Sequence, residues 1–423
     1  MMMNEPVLSQ SQPVEGQPIS ALWRNRRFLF LLGSFAVSIF GSTFHSIALN
    51  LWVLQTTGSA TMMAVITVSN LLLSSFLGSI AGTFADRWNR RTIMLVSDLS
   101  SACIVLGLAF AISRHGVPFI VVVIMSCLAT VCSLFQSPAY QSSIVSVVGK
   151  EHVQKAVGIL NLSENICRTI GFSAGGVFVT AFGAPDAFLF NGATFVISFL
   201  LILGVGAIPL AARVNTPARE ERKFFQDLAD GVRYIWRFPF ARSVVIMLPV
   251  LTLLFMPSMM LTQVMAVKVW HASPSQFGLM EASIPLGYMI GSGMILLLGS
   301  RMKRRGLLVM TGLTILGPLY VLLSMSSSAV AAIPVILLIG FVFSLCTMLI
   351  NIILRLEVSE ELQGRVFGVL SSVMSIAPSV GLTAISYLSD QFAPGPVMGV
   401  IGLLLLMFAL ASWRGFKVIR DYR

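Results

Sequence analysis

Twelve runs of roughly 20 apolar residues recur along the chain, near 28–53, 60–85, 92–113, 117–140, 155–181, 186–208, 240–266, 275–300, 306–326, 329–354, 364–389 and 395–413. That recurrence limits the fold more than any other feature of the sequence. A helix of this length crosses the hydrocarbon core of a bilayer. Backbone immersed in lipid satisfies its own hydrogen bonds only as a helix or as a closed barrel of much shorter strands. Charged residues make up 11% of the chain, against the ~25% with which a water-soluble chain covers itself, so a soluble two-domain enzyme is excluded. The expected fold is an all-α membrane protein of twelve transmembrane helices.

The net charge of +11 would suit a nucleic-acid partner, but the basic residues follow the topology instead. With the N-terminus in the cytoplasm, 25 of the 28 Lys and Arg fall in cytoplasmic segments, and the outside loops keep only Arg114 and Lys268. This asymmetry predicts a multi-pass protein of the bacterial cytoplasmic (inner) membrane with both termini inside. The longest polar break separates six runs from six. The expected organisation is a disordered tail over 1–24, a six-helix bundle over 25–208, a cytoplasmic linker over 209–239, a second bundle over 240–413 and a tail over 414–423. In the linker, Phe224, Phe225, Leu228, Val232 and Ile235 stand near helical spacing between charges, which predicts an amphipathic helix lying on the inner leaflet. Residues 154–160 align without gaps to 364–370, an offset that also matches Gly171 with Gly381. Parallel six-helix repeats with a site between them are what a rocking transporter requires. The five cysteines show no CxxC spacing, so neither a disulfide framework nor a zinc site is expected.

The segment Gly82-Thr-Phe-Ala-Asp86-Arg87-Trp-Asn-Arg90-Arg91 follows the second run. It resembles the G-x-L-A-D-R-x-G-R-[RK] signature of the major facilitator superfamily, with Phe84 for the Leu and Asn89 for the second Gly. The resemblance implies that Asp86 meets the N-terminal end of helix 11 in the other half, where a carboxylate is favoured by unpaired amide donors, and that the arginines help latch the cytoplasmic side shut. Asp98, inside the third run, is expected to pair with those arginines. The segments 188–202 and 224–245 are similar to the branch of the family that contains macrolide-efflux and enterobactin-exporter proteins, a drug:H+ antiporter branch. Residues 167–176 resemble the antiporter signature G-x-x-x-G-P-x-x-G-G; Gly171, Gly175 and Gly176 match it, while Cys167 and Phe172 replace its first Gly and its Pro.

Ionisable residues inside a membrane helix are costly and mark a pathway or an internal pair. Asn161, Glu164, Arg168, Gly171 and Gly175 fall in one stripe of helix 5 roughly 80° wide. Glu164 and Arg168, four residues apart, can pair along the helix, either as a structural salt bridge or as groups that handle substrate or protons. Matching depths at 1.5 Å per residue lead to the further expectation that Arg168 and Glu281 of helix 8 meet across the two halves. Glu164, Glu281 and His45 are the candidate proton carriers; Gln136 and Gln263 add hydrogen-bonding groups to the expected cavity.

No Walker loop, HExxH or nucleophile motif stands in the chain, so no enzymatic activity and no cofactor are expected, and the energy must come from an ion gradient. The expected function is proton-coupled export of a small amphipathic compound, drug-like, macrolide-like or siderophore-like, by a monomer in the bilayer that binds no nucleic acid. The rival readings are uptake or uncoupled facilitation of a small solute and, from another class, a transporter-shaped sensor or structural subunit.

Overall fold

Where the apolar runs begin and end is set by capping residues. In the computed structural model, which describes residues 20–114, 117–149, 151–208, 232–298, 302–358 and 360–422, twelve long helices fill the chain. They are α1 (Arg26–Thr57), α2 (Ala60–Arg87), α3 (Arg90–Ser113), α4 (Phe119–Val148), α5 (Val153–Phe182), α6 (Ala184–Val205), α7 (Pro239–Lys268), α8 (Pro274–Leu298), α9 (Arg305–Ser324), α10 (Ala329–Glu357), α11 (Glu360–Gln391) and α12 (Pro394–Gly415). The Asn25 side chain accepts from the amides of Arg27 and Phe28 to start α1, and Gly58, at φ 60°, ends it in the left-handed region that glycine adopts without strain. Proline opens α6, α7 and α12, where its missing N–H breaks no helical hydrogen bond. Asn89, which departs from the family signature, caps α3 by accepting from the amides of Arg91 and Thr92.

Eleven of these helices are long and apolar enough to cross a membrane. The exception is α5, whose 30 residues carry Lys155, Glu164 and Arg168. Its neighbours on both sides shield it, so the fold holds twelve membrane-length helices as the sequence implies. Several outrun their apolar stretches; α4 continues to Val148.

The two halves repeat one packing scheme. In the first, α1 packs on α5 and α6, α3 on α4 and α6, and α2 on α4. In the second, α7 packs on α11 and α12, α9 on α10 and α12, and α8 on α10. The aligned glycines hold equivalent positions: a Cβ on Gly171 would collide with Thr43 of α1, and one on Gly381 with the Leu253 carbonyl of α7. Glycine is needed at both because the neighbouring helix lies where a side chain would stand.

Parts of both expected tails are ordered, while residues 1–19 and 423 lie outside the described residues. Ser20–Arg24 form a helical turn with Leu22 only 2% exposed, packed beneath α1. After α12, Lys417–Arg420 form a second turn that buries Ile419 completely, and the Gly306 amide donates to the Tyr422 carbonyl. The stretch expected as a free tail therefore closes the base of the second bundle. Of the linker, 209–231 lie outside the described residues; 232–237 are helical and Ile235 is buried in the second bundle's core.

Close helix contacts are densest inside the second half. A Cβ on Gly340 of α10 would lie 3.2 Å from the Ile284 Cα, and one on Gly287 of α8 would lie 2.9 Å from the Phe341 amide nitrogen. These are backbone atoms that cannot rotate aside. Gly340→Leu is expected to lower stability by about 1–3 kcal/mol, seen as a fall in the melting temperature of the protein in detergent. Gly415→Ala, at a position with open space around it, should leave that temperature unchanged.

Candidate functional site

Four helices form the seam between the halves: α5 against α8, and α2 against α11. The face carrying the start of α1 and the end of α12 is called here the terminal face, and the opposite one the far face. At the far face the seam is tight. Gly176 and Gly278 oppose one another so closely that a Cβ on either would lie 2.8 Å from the other's Cα. On the second seam, Asp390 at the end of α11 reaches the first turn of α2. It accepts from the Ser59 hydroxyl at 2.6 Å, the Ala60 amide at 2.8 Å and the Thr61 amide at 2.9 Å. Ser59 in turn accepts from the Met62 amide at 3.2 Å. A carboxylate placed on free amide donors at the positive end of a helix dipole is a favourable pair, and here its two members belong to different halves. Lys268 adds a looser contact to Asp390 at 3.8 Å.

At the terminal face the same four helices stand apart. Among the described residues, nothing lies within 4 Å of where a side chain would project from Gly78 and Gly82 on α2, Gly158 on α5, Gly293 on α8 or Gly368 on α11. Beside α5, on the inner side of the first half, lies a cavity of about 660 Å³ walled by α1, α4, α5 and α6. It runs on through Ser42, Ser46, Ser133, Ser137 and Phe195 into a second space of about 720 Å³ toward the far face, where Met256, Met259, Met260 and Gln263 of α7 join the wall. The molecule is open at the terminal face and closed at the far one.

The expected residues distribute over three places. Asn161, Glu164, Arg168 and Gln136 line the terminal-side cavity. Arg168 donates from Nε and Nη2 to Glu164 Oε1, each at 3.0 Å. Their side chains are 46% and 34% exposed, so water screens the pair and it contributes at most a few tenths of a kcal/mol along the helix. Gln263, to which Asn50 donates at 3.4 Å, stands on α7 at the far-side space, with Glu281 of α8 close by. His45 borders the far-side space; its ring meets the edge of Phe188 at 4.9 Å, and its Nδ1 is buried without a hydrogen-bond partner. Of the three glycines, Gly171 and Gly175 lie against α1 and only Gly176 against α8.

Three expectations need correction. Arg168 makes no ion pair with Glu281 among the described residues. Because Gly176 stands level with Gly278 on antiparallel helices, Arg168 is level with about residue 286, roughly 7 Å along the axis from Glu281; the depth match carried that error. Asp98 does not pair with arginines. It accepts from Gln136 Nε2 and Ser198 Oγ, both at 2.6 Å, because it sits eight residues into α3, about 12 Å from Arg90 along the helix. Nor do Arg90 and Arg91 reach the other half. Arg90 donates to the Ser142 carbonyl and Ser146 hydroxyl of α4, and Arg91 to the Ile202 and Leu203 carbonyls near the end of α6, where a helix C-terminus attracts cations. Both arginines thus brace the first half. The side chains of Asp86 and Arg87 lie outside the described residues, and Gly82 beside them faces open space.

Several residues of the site carried no weight in the sequence. Ser34, Ser38, Ser42 and Ser46 form one stripe of α1 along the cavity, visible in retrospect as a serine at every fourth position. Asp390 and Asn50 gave no such signal, since each acts on a partner more than 200 residues distant in sequence.

Twelve membrane-length helices in two repeating halves, around a central cavity sealed at one face and open at the other, define a multi-pass membrane transporter. The sequence model of the Major Facilitator Superfamily matches residues 31–382, and the chain belongs to that family. Among its relatives are the multidrug efflux pump Tap of Mycobacterium tuberculosis (strain ATCC 25618 / H37Rv), 24% identical over 85% of this chain and 84% of that one. Macrolide efflux protein A of Streptococcus pyogenes is 20% identical over 92% and 95%. The crystal structure of a bacterial homolog to the human lysosomal transporter Spinster, inward-facing and unoccupied, matches with a TM-score of 0.69 over 94% of this chain and 99% of that one, at 14% identity; such a likeness speaks for the fold alone.

If Asp390 holds the far face shut, Asp390→Ala should open it. With the five native cysteines changed to serine and a cysteine placed at Ser46, a membrane-impermeant maleimide added at the far face should label the Asp390→Ala protein about fivefold faster than its parent, the scale set by the loss of a helix-cap interaction. An unchanged labelling rate would mean that the contact contributes nothing to closure.

Proposed function

We propose that this transporter exports small amphipathic compounds from the bacterial cytoplasm across the inner membrane, driven by the proton gradient, with the terminal face in the cytoplasm. The observation that carries this reading is the cavity: closed at the far face by the Gly176–Gly278 contact and by Asp390, open at the face that holds most of the Lys and Arg. The positive-inside rule makes that face cytoplasmic, so the conformation is the one that loads from the cytoplasm. The names of the relatives Tap and macrolide efflux protein A support export as the direction and a drug-like compound as the cargo. Aromatic and Met side chains mixed with hydroxyls along the cavity suit an adaptable site for amphipathic molecules.

Glu164 is the first candidate for the coupled proton. Its pairing with Arg168 is too exposed to serve the bundle's stability, yet it stands on the cavity wall, where a proton or a substrate group can compete for the arginine. Glu281, beside Gln263 at the closed end, is the second candidate, and His45 the third. In the cycle proposed here, loading from the cytoplasm is followed by release of the Asp390 contact, closure at the terminal face and discharge at the far face.

A deletion strain should accumulate a fluorescent amphipathic cation such as ethidium several-fold above a strain expressing the protein, and Glu164→Gln should behave as the deletion does while reaching the membrane in normal amount. Equal accumulation in deletion and wild type would remove export; export by Glu164→Gln at the wild-type rate would remove Glu164 from coupling.

A further inference from the structure

Among the described residues Asp98 is the acidic side chain hidden most completely. It lies in the middle of α3, 0% exposed, and no cation stands within ion-pair distance of it among the described residues. A lone carboxyl at that depth is expensive. What distinguishes it is where its partners face. Gln136 donates to one oxygen and Ser198 to the other, and both partners also line the terminal-side cavity.

Donor and acceptor counting shows what this does to the wall. A serine hydroxyl has a single proton to give and two lone pairs, and a glutamine amide has its N–H groups on one branch and its oxygen on the other. Asp98 takes the Ser198 proton and turns the nitrogen branch of Gln136 toward itself. What remains for the cavity is Gln136 Oε1, which no donor fills among the described hydrogen bonds, with the buried Ser198 oxygen behind it. The surrounding hydroxyls are committed in the same sense. Ser34 and Tyr140 both donate to the Leu31 carbonyl, at 3.0 and 2.8 Å, and Ser42 donates to the Ser38 carbonyl at 2.8 Å. Around Asp98 the wall therefore offers oxygen lone pairs, while the N–H donors of Arg168, Asn161 and Gln141 stand elsewhere on the same cavity.

We propose that Asp98 is a positioning residue that sets the hydrogen-bonding polarity of the transport cavity, so that the cavity selects solutes presenting N–H or O–H donors over solutes of equal charge and shape that present none. The inference rests on the reading above that this cavity takes amphipathic molecules, and it deepens that reading by naming the feature recognised. A site whose acceptors are left unpaired by the wrong ligand discriminates through that unpaired cost rather than through size. A purely structural Asp98, tying α3 to α4 and α6, would alter all ligands alike.

The test uses two dyes that share one charge, one xanthene ring system and one ester group: rhodamine 123, with N–H donors on its amino groups, and tetramethylrhodamine methyl ester, in which methyl groups replace those hydrogens. Binding to the purified full-length protein in nanodiscs is read by fluorescence polarisation. The wild type is expected to favour rhodamine 123 by about fivefold, the scale of a net hydrogen bond. Asp98→Asn supplies a donor where the carboxyl supplied only acceptors, which forces one partner to turn its proton toward the cavity; the preference should fall to within about twofold of unity. Ser198→Ala and Gln136→Leu remove the acceptor atoms themselves and read the same ratio if Asp98→Asn does not fold. Equal affinities in the wild type, or a preference kept by every variant that folds, would overturn the role of Asp98 alone. Failure of the wild type to bind either dye would overturn the assignment of the cavity to amphipathic molecules, and this inference with it.

Discussion

Everything in this structure turns on keeping polar groups away from hydrocarbon. A charged side chain at the depth of Glu164 or Arg168 cannot face lipid without a cost of several kcal/mol, and α5 escapes that cost only because α1 and α8 cover its flanks and its polar stripe looks into a cavity. The cavity in turn needs the halves to part at one face while they hold at the other. The contacts that hold them bring backbones together at Gly176 and Gly278 and set the Asp390 carboxylate on the end of α2. Both join helices of different halves, which suits a molecule whose two packed bundles move as bodies rather than refold.

Much of the fold was legible because lipid imposes it. The apolar runs, the asymmetry of Lys and Arg, and the aligned glycines Gly171 and Gly381 gave span number and the duplication before any coordinates, since each reports a requirement local to one helix. The polar stripe of α5 was readable for the same reason. What the sequence did not yield depends on register between helices. The partner of Asp98 was missed because the arginines are near in sequence, while Gln136 and Ser198 are near only once α4 and α6 have packed against α3. The pairing of Arg168 with Glu281 failed on an axial offset of about five residues, which no hydropathy boundary resolves. Asp390 ends its helix as many surface carboxylates do, and its significance arises only from the α2 terminus set beside it.

The departures from the family signature make sense in the same local terms. Asn89 stands where a glycine is usual and supplies the cap that starts α3. Phe84, in place of a leucine, packs edge-on against Trp88 and Phe135 at 5.5 and 5.7 Å. Phe172, in place of a proline, leaves α5 unbroken, and its carbonyl approaches Gly278 while its side chain borders the cavity. Each substitution keeps the helix geometry the motif requires while changing what lines it.

Helices α2 and α11 bring these strands together. At the far face a carboxylate from the end of α11 occupies the N-terminus of α2. At the terminal face the family resemblance implies the converse: Asp86, from the end of α2, meets the N-terminus of α11. The same two helices would thus exchange the roles of donor and acceptor at their opposite ends, each contact using free helix-end amides that need a partner wherever water is excluded. Under the duplication, which aligns α5 with α11, the counterpart of this seam is α5 against α8, where Gly176 and Gly278 take the place of the carboxylate. The two copies thus supply two seams of one shape, and each closes the far face by its own chemistry.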